Sequence, residues 1–335
     1  MRNRILSSIL FFGGCFNATF AQLTPKELEK RILEINQTPI SQSPDKEKIA
    51  AAEEIVELLM EGLTHKESFE YPFDSLRYST IPVITAPKAP VRIFTFNAIL
   101  ENGKFQHYGV LQWKTKGGIK TYALIDTAEN LPKEPTAESL STSQWIGALY
   151  YQMIPYKRNK KDIYILCGFD GHNINSNRSI LETLYFEDGE PLFGTEMFRD
   201  GEEDPTPEPR VIFEYHKSAK MTLRFQPEVN YIVLDELAPA YEKVKGNPWY
   251  NIPTGDYFAY YPEKFSWVLK PVTDEMPFAD PRSIDADRRP AELPKDRMKL
   301  KHAPEMPQKR GKYGEGSEKD DEAPADSEST DSDDE

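Results

Sequence analysis

The sequence predicts a mainly β protein. An antiparallel meander, closed as a barrel or folded as a two-layer sandwich, follows two N-terminal helices and precedes a disordered C-terminal tail. Three observations predict this class. From about Phe69 to Pro271, short apolar or alternating runs are separated by turn signals too closely spaced for crossover helices. Residues 24–63 carry apolar side chains at helical steps. After Pro271 hydrophobic periodicity stops and charge takes over.

The first element is a signal peptide over residues 1–21. Arg2 and Arg4 begin it, an apolar run from Ile5 to Phe16 follows, and Thr19-Phe20-Ala21 sets small residues for a cut after Ala21. The apolar run is shorter than the roughly 20 residues a membrane span needs. A second reading is a lipoprotein anchored at Cys15, because Phe12-Gly13-Gly14-Cys15 loosely resembles a lipobox. Cutting at Ala21 removes Cys15 and leaves Cys167 without an intramolecular partner. The mature chain then depends on its core, not on disulfides. Cys167 closes the apolar run that starts at Ile163, so it reads as a buried core residue.

Residues 22–66 form the helical segment. Thr24-Pro25-Lys26-Glu27 supplies an N-cap, a proline at the first helical position and a capping-box glutamate. Leu28, Ile32 and Ile35 follow at helical spacing. Ser43 then caps a second helix with Pro44 at its first position. Ile49, Ala52, Val56, Leu59 and Leu63 form its apolar stripe, a face that docks on the protein's own core.

Residues 67–280 form the β-rich domain. Glu101-Asn102-Gly103 separates Val91–Leu100 from Phe105–Lys114 as a hairpin, and Lys116-Gly117-Gly118 and Glu187-Asp188-Gly189 make further turns. Met221, Leu223 and Phe225 alternate with polar neighbours, as do Phe265, Trp267 and Leu269. Ile163–Phe169 and Tyr231–Leu234 are apolar on both faces and belong inside a sheet. Residues 281–335 are the disordered tail. From Glu315 to Glu335 there are eleven acidic residues and one lysine, a net charge of −10 out of −14 for the chain. The body is therefore only mildly acidic and has no electrostatic footprint for nucleic acid. The mature chain has no apolar run long enough to span a membrane.

Several segments together carry a resemblance. They are Phe69-Glu-Tyr-Pro-Phe-Asp-Ser-Leu76, Val91-Arg-Ile-Phe94, Trp145-Ile-Gly-Ala-Leu-Tyr-Tyr151, Cys167-Gly-Phe-Asp-Gly-His172, Arg210-Val-Ile-Phe-Glu-Tyr215 and Met221-Thr-Leu-Arg224. Over about 69–274 the chain resembles an uncharacterised family of exported Bacteroidetes-type proteins. The resemblance implies export and a bacterial source, and supplies no catalytic residue. The chain departs from the pattern at Phe169, where tryptophan is expected. Asp74-Ser75-Leu76 and Asp126-Thr127-Ala128 resemble O-glycosylation acceptors of such bacteria and read equally as turns.

The chemistry-bearing residues are sparse. Of five histidines none pairs with another at metal-ligand spacing, and hydrolase, phosphate-loop and dinucleotide motifs are missing from the sequence. No metal and no cofactor are expected. Asp170, His172 and Asn173 lie in a polar loop directly after an interior strand, where a rigid sheet presents binding groups; the same residues suit a tight turn. Asp200-Gly-Glu-Glu-Asp204 reads as a solvated loop, with calcium binding as the sharper alternative. Trp249 and Tyr250 lead a proline-bracketed aromatic cluster that offers ring faces to a ligand. The leading expectation is an exported cell-envelope binding or structural module, meeting an envelope glycan, a peptide or a protein partner. The alternative is a secreted hydrolase or metal-site protein with a site near Asp170 and His172. A lipid carrier is a third reading and requires a closed barrel with an apolar interior.

Overall fold

A computed structural model describes residues 23–37, 43–131, 137–204 and 206–273. The signal segment with Ala21 and Cys15, and the charged tail, lie outside the described residues. Two helices open the described chain, α1 (Pro25–Gln37) and α2 (Asp45–Gly62). The capping box at α1 forms as the sequence predicts: the Thr24 hydroxyl accepts from Glu27 N–H at 3.3 Å, and the Glu27 carboxylate accepts from Thr24 N–H at 2.9 Å. Helix α2 corrects the expectation. Pro44 is its N-cap, without a side-chain cap bond, so the helix starts one residue later than Ser43 implied. Its buried residues are Lys48, Ala52, Ile55, Leu59 and Gly62. Ala52, Leu59 and, just beyond the helix, Leu63 are buried as expected, whereas Lys48 and Ile55 take the places expected of Ile49 and Val56, which are only partly buried. Lys48 tolerates this because its ammonium donates to the Ile99 carbonyl at 2.9 Å.

The strands of the described residues form three open sheets. The four-stranded sheet runs in order β1 (Val83–Thr85), β2 (Val91–Ile99), β3 (Phe105–Thr115), β4 (Gly118–Ile125), all antiparallel. The six-stranded sheet is built from β5 (Leu140–Ser141), β6 (Leu149–Arg158), β7 (Lys161–Asp170), β8 (Ser176–Glu187) and β9 (Glu190–Phe193). Its sixth strand, β11 (Arg210–His216), pairs with the first half of β8. The five-stranded sheet runs β10 (Phe198–Arg199), β15 (Trp267–Pro271), β14 (Asn251–Pro262), β13 (Tyr231–Pro239), β12 (Leu223–Gln226). Only the short β10–β15 pair is parallel among the named strands. The fold is thus mainly β with antiparallel sheets and no closed barrel. Three sheets stack rather than two, because the middle one is apolar on both faces.

Strand parity explains the stacking. In β7, Tyr164 and Leu166 point into one core with Ile93, Leu111 and Leu124 of the four-stranded sheet. Ile163, Ile165 and Cys167 point the other way, into a core with Leu223, Ile232, Leu234 and Trp267. The outer face of the four-stranded sheet, Phe94, Phe96 and Val110, receives Leu28, Ile32 and Leu59 of the helices. The layers are therefore helices, then the four-, six- and five-stranded sheets. Cys167 lies fully buried, and burial pushes its thiol up to about 12.

Buried polar groups tie the layers. Arg92 donates to the carbonyls of Ser68 and Tyr71 and to Gln112, with its guanidinium near the rings of Phe69, Phe73 and Phe94. That network fastens the Phe69–Leu76 segment to the sheet. At the middle layer, Tyr151 is the extra residue of a bulge in β6, and its hydroxyl donates to the Leu223 carbonyl at 2.7 Å. The next side chain, Gln152, both accepts from Phe225 N–H and donates to its carbonyl, as a neighbouring strand would.

Candidate functional site

The loop singled out by the sequence sits where two sheets face each other. Asp170 is the last residue of β7. Its register partner on β8 is Arg178, whose partner on β11 is Glu214. Directly paired side chains share a sheet face, so these three form one row toward the four-stranded sheet. From that sheet come His107 on β3 and Asp126 just beyond β4.

The result is an alternating string of acids and bases. Asp126 Oδ2 lies 3.3 Å from His107 Nδ1 and accepts the His107 backbone N–H at 2.9 Å. His107 Nε2 is 3.5 Å from Asp170 Oδ1. His172 Nδ1 is 3.6 Å from Asp170 Oδ2, and His172 Nε2 is 3.8 Å from Glu214 Oε1. Glu214 closes the string: its Oε2 accepts from Arg178 Nη2 and Nε at 2.9 and 3.0 Å, and its Oε1 accepts from Ser176 Oγ at 2.6 Å. The 3.5–3.8 Å approaches are electrostatic rather than hydrogen-bonded. Exposure is lowest at His107, whose side chain is 2% exposed, and highest at His172, at 27%, with Asp170 and Glu214 at 10% and 12%.

Local backbone chemistry holds the loop. His172 adopts a left-handed φ of 48°, and Asp170 Oδ1 accepts its N–H at 2.6 Å. Asn173 Oδ1 accepts from Asn175 N–H at 2.7 Å and Ser176 N–H at 3.1 Å, an Asx turn. Lys217 donates to the Gly171 carbonyl at 2.6 Å and lies 4.5 Å from the centre of the Phe105 ring. Gly147, at φ 74°, passes so close that a Cβ there would meet Asp126 Oδ2 at 2.7 Å and His107 Nδ1 at 2.8 Å. Burial works to raise the Asp170 carboxyl, but bonding and charge from His172, together with His107, outweigh it and hold the group below its ordinary value. Burial draws the Lys217 ammonium down, opposed by the Asp170 charge.

A second polar cluster lies deeper between the same sheets. His107 meets Trp145 edge-on, with ring centres 6.2 Å apart. Trp145 Nε1 donates to the Tyr150 hydroxyl at 2.7 Å, and that hydroxyl donates to Glu182. Glu182 pairs with Arg210 at 3.2 Å, both side chains fully buried. Arg210 also donates to the carbonyls of Glu138 and Phe193. Burial first, then the Glu182 charge, drives the Tyr150 phenol well above its ordinary range.

The structure thus brings Asp170 and His172 together with partners that the motif reading missed: His107, Asp126, Arg178 and Glu214. Asn173 is spent on the turn. Trp249 and Tyr250 lie half-buried in a 3-10 turn (Pro248–Tyr250), where Tyr250 tilts over His216 of β11 at 6.5 Å. The next residue, Asn251, donates to the Glu214 carbonyl at 3.3 Å, so both sequence-predicted groups converge on β11. The acidic loop 200–204 turns inward on itself: Asp204 accepts the N–H groups of Asp200 and Thr206, and Glu202 pairs with Lys270. Of the two acceptor-like patterns, Ser75 is exposed, whereas the Thr127 hydroxyl is buried.

Among the described residues, no three His, Cys, Asp or Glu side chains are placed to hold a metal ion, and no helix is long and apolar enough to cross a membrane. No family model matches the chain, and no curated protein or solved structure does either.

Proposed function

We propose that this chain is an exported binding or structural module of the cell envelope, akin to the exported family its segments resemble. One observation carries the structural half of the reading. The carboxylates of Asp126, Asp170 and Glu214 are turned onto neighbouring N–H groups, imidazoles, a hydroxyl and a guanidinium, and all three are largely shielded. Groups so committed clamp a loop between two sheets. A hydrolytic acid or base instead needs an open path to the substrate atom it serves. Ser176, the hydroxyl nearest the string, is itself buried and donates to Glu214. The N-terminal segment supports export, and reliance on core packing without a disulfide is compatible with it.

The test is expression of the full chain in a Gram-negative host, with fractionation and N-terminal sequencing of the recovered protein. The expected product begins at Gln22 and is found outside the cytoplasm. A product beginning at Cys15 would make the module a lipoprotein of the same envelope. Unprocessed chain confined to the cytoplasm would overturn the proposal.

A further inference from the structure

The outward face of the five-stranded sheet ends the stack of layers. At the other end α1 and α2 cover the four-stranded sheet, and among the described residues they are the only α-helices. Ile232, Leu234 and Tyr260 point into the inner core. Strand parity therefore puts Tyr231 and Val233 of β13 on the outward face, with their register neighbours Tyr261 and Ala259 of β14, and Tyr257 beyond them. The middle of this face is nonetheless closed: Val233 and Ala259 are 0% exposed and Tyr257 is 8%. The three form a cluster of their own, with Tyr231, Tyr261 and Val272 packed against it.

The described side chains account for the margins of the face. Lys270, the register partner of Ala259, pairs with Glu202 at 2.6 Å and Glu263 at 3.5 Å on the β15 side. Tyr231 and Tyr261 lean on each other, with ring centres 4.1 Å apart. Val233 has no such cover from its own register partners. Ala259 is too small, and Arg224 of β12 is exposed.

The chain leaves the sheet on this same face. Val272 N–H donates to the Tyr257 carbonyl at 2.9 Å, and its side chain joins the cluster. The sequence then reads Thr273-Asp-Glu-Met-Pro-Phe278, and Phe278 is the only phenylalanine or tryptophan in residues 274–335. Met276 and Phe278 stand two apart, so an extended segment turns both to one side. Val233 lies two strands across and two residues along from Val272. That is roughly 12 Å, at about 4.8 Å per strand and 3.3 Å per residue. Four extended residues span about 13 Å, so Met276 can reach Val233.

We infer that residues 276–278 fold back as a strap over the outward face and seat Met276 and Phe278 on Val233, Ala259 and Tyr257. The partner of this surface is thus a segment of the same chain. The strap closes the last layer as the helices close the first. Without it the cluster is an apolar patch of the kind that draws other proteins.

The experiment uses the full chain. Arg224→Cys, beside Val233, is combined with Phe278→Cys and treated with a short bis-maleimide, and the joined peptides are identified by mass spectrometry. The expected product is a link within one chain that forms in buffer and is lost in urea. Separately, Met276→Ser/Phe278→Ser lowers the Tm by at least about 5 °C, through lost burial of two apolar side chains. It also raises binding of the dye ANS several-fold. Leu293→Ser/Met298→Ser, further along the tail, changes neither. Absence of the link in buffer overturns the inference, as does an unchanged Tm and dye binding in Met276→Ser/Phe278→Ser. A link found only between two chains overturns it and assigns the face to a second copy. An equal loss from Leu293→Ser/Met298→Ser overturns it in favour of a later part of the tail.

Discussion

Replacing Glu182 by glutamine deprives a guanidinium that solvent cannot reach of its counterion. Both side chains of the Glu182–Arg210 pair are 0% exposed. In the variant Arg210 keeps the carbonyls of Glu138 and Phe193. Glutamine, however, brings one oxygen and two donors to a place where Tyr150 and Arg210 both need acceptors. Breaking one side of a buried pair costs about 3–5 kcal/mol, chiefly from the charge left behind. Against a domain stability of about 5–15 kcal/mol, that is a third or more of the total. The assay is equilibrium unfolding in urea, followed by tryptophan fluorescence and circular dichroism. The midpoint falls and the slope with denaturant stays constant, since the same surface unfolds. The double variant Glu182→Leu/Arg210→Met removes the stranded charge. It leaves two carbonyls and the Tyr150 hydroxyl unsatisfied at about 1–3 kcal/mol each, so it stays well below the wild type in stability. A Glu182→Gln loss under about 1 kcal/mol, or a double variant as stable as the wild type, would refute this account of the interlayer.

Three further outcomes follow. The folded Asp170 carboxyl lies below its ordinary value, so its contribution is present above the unfolded pKa of about 3.9 and is lost as pH falls through the folded value; acid titration of stability in wild type and Asp170→Ala converges at the acid end if this sign is right. Cys167 stays unlabelled by a thiol reagent in the folded chain and reacts on denaturation, because burial keeps it protonated; prompt labelling without denaturant contradicts it. Gly147→Ala combines a left-handed backbone with a contact at 2.7 Å to Asp126, and lowers stability by about 2 kcal/mol or more; an unchanged thermal midpoint shows that the His107–Asp126 corner is not tightly held.

Much of the architecture was legible because periodicity reports burial directly. The Asn102-Gly103 and Asp188-Gly189 turns, the capping box at Thr24 and the two-faced strand at Ile163–Phe169 follow from local physics, and each appears in the fold. The number of layers was not legible, since an interior strand looks alike in a barrel, a sandwich or a stack. On α2, Ala52, Leu59 and Leu63 were placed correctly, but Lys48 was missed because it hides its charge on a carbonyl 51 positions away. The site was half legible. Asp170 and His172 stand in a recognisable loop, but His107 and Asp126 come from another sheet, and Glu214 from a strand whose pairing no spacing reveals. The available signal was polar residues at inward positions: His107 among the inward side chains of β3, Glu182 within an apolar run, and Arg210 at the head of one. The segments that carry the resemblance hold many of these buried polar groups: Arg92, Trp145, Tyr150, Asp170 and Arg210.

The most direct test is the unfolding free energy of Asp170→Ala at neutral pH. A clamp residue that accepts the N–H of a left-handed His172 and faces two imidazoles contributes to stability, and its removal lowers the free energy by about 2–3 kcal/mol. Residues kept for catalysis or ligand binding are commonly held at a cost to the fold, and removing them leaves stability unchanged or raises it. A loss of that size supports the clamp; an equally or more stable variant contradicts it and returns Asp170 and His172 to the hydrolase or metal-site reading.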